Sequence, residues 1–154
     1  MKGSRLLFVA SWVILLVVIT AITLLSLQSL RVAYTGTQDI LITRPALSDQ
    51  IREAGGEDAL KIIMGRRATA ATWALAYGLL ALAVVIVPYR RGERWAWWAL
   101  LISIGVSQLL SVARVPMIGA TAGAGAAGII LAFALLGLLA GAPRFFFRPL
   151  ETVD

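Results

Sequence analysis

Two residue types are missing from this chain altogether, cysteine and histidine. Without cysteine there is no disulfide, no thiolate nucleophile and no iron–sulfur ligation. Without histidine the usual haem and zinc ligands are gone, and so is the commonest general base near neutral pH. Acids are scarce as well, with 8 Asp and Glu against 14 Lys and Arg. None of the acids falls inside the long apolar runs, so no intramembrane carboxylate offers itself for proton or ion coupling. No lysine-bearing glycine loop between a strand and a helix is present. The residues therefore point away from an enzyme, and no cofactor or resident metal is expected.

What the chain has is apolar length. Residues 6–27, 69–87, 95–112 and 117–140 are each close to the roughly 20 apolar residues that a hydrocarbon core of about 30 Å requires. The expected fold is all-α: one transmembrane domain over residues 1–154, a membrane-embedded four-helix up-down bundle. Residues 28–68 form its outer loop, helical or lying at the interface. The first run is longer than a signal-peptide core and no small-residue cleavage pattern follows it, so it is read as an uncleaved helix. Within the loop, Pro45 opens a short helix through Ala54, and Gly55 and Gly56 break it. Glu57 and Asp58 then start a second helix that runs into the next apolar span.

The second span is expected to stop at Pro88, because a proline ring cannot continue a helix. Residues 88–94 then form a basic connection. Trp95, Trp97 and Trp98 follow at the headgroup level, where amphipathic rings settle. The fourth span is expected to begin near Pro116 and to end near Gly141 and Pro143. Arg90, Arg91, Arg94, Arg144 and Arg148, with these tryptophans, form the expected membrane-anchoring set. Under the up-down topology they lie at one level, beside or above Tyr89 and Phe145, Phe146 and Phe147.

The net charge of +6 fits anionic lipid headgroups rather than nucleic acid, because much of it flanks the apolar spans. Basic residues divide evenly between the two sides of the bundle. Their crowding into short segments beside the helices places both termini in the cytoplasm. Arg66 and Arg67 are awkward for this orientation, since they abut the second span on the outer side.

Three constellations carry candidate sites. Ser103, Ser107, Ser111 and Arg114 lie within about 80° of one another on the third helix. They form either a ligand-binding stripe for an anionic headgroup or substrate, or a helix-packing seam with a snorkelling arginine. The packing reading is preferred. Gly119 with Gly123, and Ala124 with Gly128, make small-xxx-small pairs that permit close helix approach, either within the chain or to another subunit. Asp39, Asp49, Glu53, Glu57 and Asp58 are interleaved with basic residues and read as an ion-paired surface. Trp12, Trp73 and Tyr77 read as lipid-facing or packing aromatics.

The run of residues 88–100, Pro-Tyr-Arg-Arg-Gly-Glu-Arg-Trp-Ala-Trp-Trp-Ala-Leu, resembles a hairpin seen in many uncharacterised bacterial four-helix membrane proteins. The resemblance implies a multi-pass protein of the bacterial inner membrane and brings no catalytic residue with it. Two functions are favoured over a third, weaker one, a membrane enzyme that would have to use Asp39, Asp49 or Glu53. One is a non-catalytic accessory or scaffold subunit partnered with other membrane proteins. The other is a small carrier or lipid-binding bundle.

Overall fold

The structure, a computed structural model, describes residues 2–35, 47–119 and 123–146. Every regular element among them is helical. In chain order these are α1 (Lys2–Thr35), α2 (Leu47–Val84), a π-helical turn (Val85–Tyr89), α3 (Arg94–Ile118) and α4 (Ala124–Phe146). Four helical spans are long and apolar enough to cross a membrane: Arg5–Thr35, Gly55–Tyr89, Arg94–Met117 and Ala124–Phe146.

The spans outrun the apolar stretches that announce them. With 34 residues, α1 rises about 51 Å, well beyond a hydrocarbon core. Much of the expected outer loop, residues 28–68, is therefore helix. The break inside it falls at Gly56, whose φ of 73° and ψ of −175° interrupt α2. Beyond the break α2 runs on without interruption into its apolar part.

The expected prolyl boundaries are corrected at three places. Pro88 lies inside the π-turn, Pro116 inside α3 and Pro143 inside α4. The stops after Pro88 and Pro116 are made by glycines. Gly92 has a left-handed φ of 81°. Its N–H meets the Tyr89 carbonyl at 2.9 Å, and the Glu93 N–H meets the Pro88 carbonyl at 3.0 Å. This paired closure occupies the orphan carbonyls at a helix end and favours glycine. Gly119 ends α3 in the same backbone region, at φ 70°, so α4 begins at Ala124 rather than near Pro116.

The contacts divide the chain into two units: Met1–Ile19 with Ala81–Asp154, and Thr20–Leu80. In the second unit α1 and α2 run antiparallel. A Cβ added at Gly78 would stand 2.5 Å from Thr23 Oγ1 and 3.2 Å from its Cα, so glycine sets this close approach. The Arg67 Nε donates to Ser29 Oγ at 3.2 Å further along the same pair.

The first unit joins the start of α1, the end of α2, α3 and α4. Leu15, Ile19, Leu100, Ile104 and Leu138 are fully buried there. Large apolar side chains elsewhere on the same helices face outward, among them Leu6, Val17, Leu80, Ile102, Leu110 and Leu139. Exposed apolar area on this scale is the kind that fits a membrane or a protein interface.

Candidate functional site: an arginine and aromatic helix end

At one end of the first unit the start of α1, the π-turn, the start of α3 and the end of α4 converge. Its centre is aromatic. The rings of Phe8 and Tyr89 are nearly parallel, with centroids 5.9 Å apart. Phe145 tilts against both, 6.0 Å from Phe8 and 4.9 Å from Tyr89. Tyr89 is wholly buried, and its hydroxyl shares a hydrogen bond of 2.5 Å with Ser11 Oγ. A buried phenol requires such a partner. Tyr89, expected beside or beneath the arginines, is a core residue of this cluster.

The π-turn beneath this cluster follows from Pro88, which has no N–H for the helical ladder. Here a side chain enters: the Trp12 indole N–H donates to the Val85 carbonyl at 3.1 Å. Local π geometry and side-chain donors are the usual means by which an apolar environment accommodates a helical proline.

Arginines surround the cluster. The Arg94 Nε donates to the Phe145 carbonyl at 2.8 Å, tying α3 to the last turn of α4. The Arg144 guanidinium lies 4.3 Å from the centre of the Phe8 ring, and its Nε has no hydrogen-bond partner among the described residues. Arg90 lies 5.6 Å from the Trp12 ring centre. Ile86, Val87, Arg90 and Arg91 line a shallow surface groove. The nearby carboxylate of Glu93 accepts from the Trp95 indole N–H at 2.6 Å.

The structure therefore brings Arg90, Arg91, Arg94, Trp95, Trp97, Trp98 and Arg144 to one end. Arg148 and Phe147 lie outside the described residues. Trp95 and Trp98 stand about half exposed, but Trp97 is turned inward. Its indole N–H donates to the Leu138 carbonyl at 2.9 Å, and its ring meets Trp98 and Phe146 edge-on.

The serine stripe does not reach across to another helix. Ser103 donates to the Ala99 carbonyl at 2.5 Å, Ser107 to Ile104 at 3.1 Å and Ser111 to Ser107 at 2.8 Å, all within α3. Each hydroxyl proton is thereby committed to its own helix. Arg114 reaches toward α4, where a Cβ at Gly123 would stand 3.2 Å from its guanidinium.

Of the candidate packing residues, Gly119 and Gly128 have open space where a Cβ would stand. Gly123 lies in the α3–α4 connection at φ 77°, and Ala124 is the first residue of α4. Close approach in this unit occurs at Gly137 and Gly141. A Cβ at Gly137 would stand 3.1 Å from Leu15 Cγ and 3.2 Å from Ile14 Cγ2. A Cβ at Gly141 would collide with Tyr89 Oη and Ser11 Oγ. These two residues form a GxxxG pair inside an apolar span, a signal already present in the sequence.

Of the loop carboxylates, Glu57 pairs with Arg52 at 2.6 Å and Asp58 with Lys61 at 3.5 Å. Asp39 and the Asp49 side chain lie outside the described residues. No family model, curated protein sequence or solved structure matches the chain.

Proposed function

We propose that this chain is a multi-pass protein of the bacterial inner membrane and serves as a non-catalytic accessory or scaffold subunit of a larger membrane assembly. The carrying observation is how its interior polar groups are used. Ser11 with Tyr89, Trp97 with Leu138, Arg94 with Phe145 and the α3 serines are all committed to helix geometry or helix contact. The outward faces, by contrast, keep large apolar side chains for lipid and neighbouring subunits. The arginine-rich end then serves as an anchor in an anionic leaflet, where each cation contributes about 1 kcal/mol.

Native purification in mild detergent tests the subunit role. The expected result is co-purification with other membrane proteins in fixed stoichiometry. Recovery only as a free monomer rejects the role. Orientation is tested separately with single cysteines at positions 57 and 91 and a membrane-impermeant maleimide. Position 57 should label in intact cells, and position 91 only after lysis. The reverse pattern overturns the cytoplasmic placement of the termini.

The carrier reading has its own test. Arg114→Ala should leave the retention of anionic ligands unchanged, because the serine stripe beside it is occupied by its own helix. A clear loss of retention would favour the carrier.

A further inference from the structure

Arg66 and Arg67 are adjacent in sequence, but the structure gives them different work. Arg67 is partly buried and donates to Ser29 of α1. Arg66 is exposed and has no hydrogen-bond or ionic partner among the described residues. It lines a shallow groove on α2 with Lys61, Ile62, Gly65, Thr69 and Ala70. Gly65 makes the notch, since a Cβ there would have no neighbour within 4 Å.

The groove is amphipathic. Lys61 and Arg66, more than one turn apart, supply cations on its two flanks, and Ile62 and Ala70 add apolar side chains. Thr69 donates to the Gly65 carbonyl at 3.1 Å, so its proton is committed and the charged donors of the groove are Lys61 and Arg66. Trp73 lies on the same face, one turn further on and 74% exposed, as a ring at the headgroup boundary does. Among the described residues, the acid that meets the groove is Asp58, through a 3.5 Å pair with Lys61 in which both side chains are largely exposed. Such a pair competes weakly with a better anion.

We propose that this groove is a binding site for the phosphate of a membrane lipid, held by Arg66 and Lys61 over the Gly65 notch, with the acyl chains passing Ala70 and Trp73. A guanidinium is the side chain best matched to a phosphate in geometry, and an ammonium adds a point charge. An amphiphile fits the groove better than a free anion does, because Ala70 and the adjoining Trp73 are apolar. The site rests on the membrane-spanning reading and is independent of the subunit role.

The test uses the full chain in zwitterionic vesicles doped with photoreactive phosphatidylglycerol or photoreactive phosphatidylcholine, with labelled peptides mapped by mass spectrometry. Labelling of residues 61–73 by the phosphatidylglycerol probe should exceed that by the phosphatidylcholine probe roughly tenfold. The paired substitution Lys61→Gln and Arg66→Gln should abolish the preference. Gly65→Leu should abolish it too, by filling the notch while both charges remain. Neither variant disturbs a core contact, and leucine is the better helix former.

Equal labelling by the two probes overturns the proposal in favour of ordinary annular lipid. Competition by inorganic phosphate overturns it in favour of a free-anion site. Normal preference in Gly65→Leu overturns the groove. Absence of any lipid labelling along α2 rejects the membrane-spanning reading itself, which is a distinct result.

Discussion

Gly141→Leu is expected to be among the most damaging single substitutions in the chain, costing about 3 kcal/mol or more. The glycine sits where α4 meets α1 and the π-turn, and even its Cβ position is already taken by the Tyr89 and Ser11 oxygens. Neither oxygen can retreat easily. The Tyr89 ring is held between Phe8 and Phe145, and the two hydroxyls are bonded to each other.

Gly141→Ala should show the same conflict in reduced form, because the better helix propensity of alanine returns up to about 1 kcal/mol. Gly128→Ala is the control. Open space surrounds that position, so stability should hold or rise slightly. Unfolding by sodium dodecyl sulfate titration, followed by circular dichroism, measures all three. A Gly141→Leu protein as stable as the parent would show that α1 and α4 do not meet at this point. Adding Tyr89→Phe to Gly141→Ala should cost less than the two changes summed, since it removes the oxygen that the new methyl meets.

Tyr89→Ala should cost about 3–5 kcal/mol, the range for deleting a buried aromatic ring. The change empties the space between Phe8 and Phe145 and leaves the Ser11 hydroxyl without its partner. Tyr89→Phe separates the two effects. It keeps the ring and should cost about 1 kcal/mol, since a hydrogen bond between membrane helices is worth little more. The double variant Ser11→Ala with Tyr89→Phe should cost less than the sum of its parts. Loss of less than about 1 kcal/mol in Tyr89→Ala would refute the buried aromatic core as the lock on this end.

The prolines show where reading the sequence goes astray. In water, Pro88 and Pro116 would mark helix boundaries, because a helix gains little by continuing past a missing hydrogen bond. In an apolar surrounding, leaving the helix exposes more unpaired backbone than a single proline does. On the membrane-spanning reading this favours continuing the helix; the helices do continue, through a π-turn at Pro88, until Gly92 or Gly119 supplies the left-handed residue that closes them. Both glycines are stop signals present in the sequence, each a few residues beyond its proline.

The small residues show a different limit. The stretch from Gly119 to Gly128 has the denser small-xxx-small pattern, yet Gly119 and Gly128 have no neighbour where a side chain would stand. Gly137 and Gly141 carry one such pair and receive α1. Sequence spacing shows that a helix surface permits close approach. Which surface is approached depends on the partner helix, and that partner lies more than a hundred residues away in the chain.

The sequence by itself determined the all-helical class, the four apolar spans and the absence of thiol and imidazole chemistry. These are properties of single segments and of composition, and need no partner to be read. It also placed the helix break beside Gly55 and Gly56, where backbone freedom decides. The tertiary structure alone decided that Tyr89 and Trp97 turn inward, that Ser11 is the phenol's partner, and that Arg67 is engaged while Arg66 stands free among the described residues. Each is a pairwise outcome, fixed by which atoms a distant helix brings within bonding range.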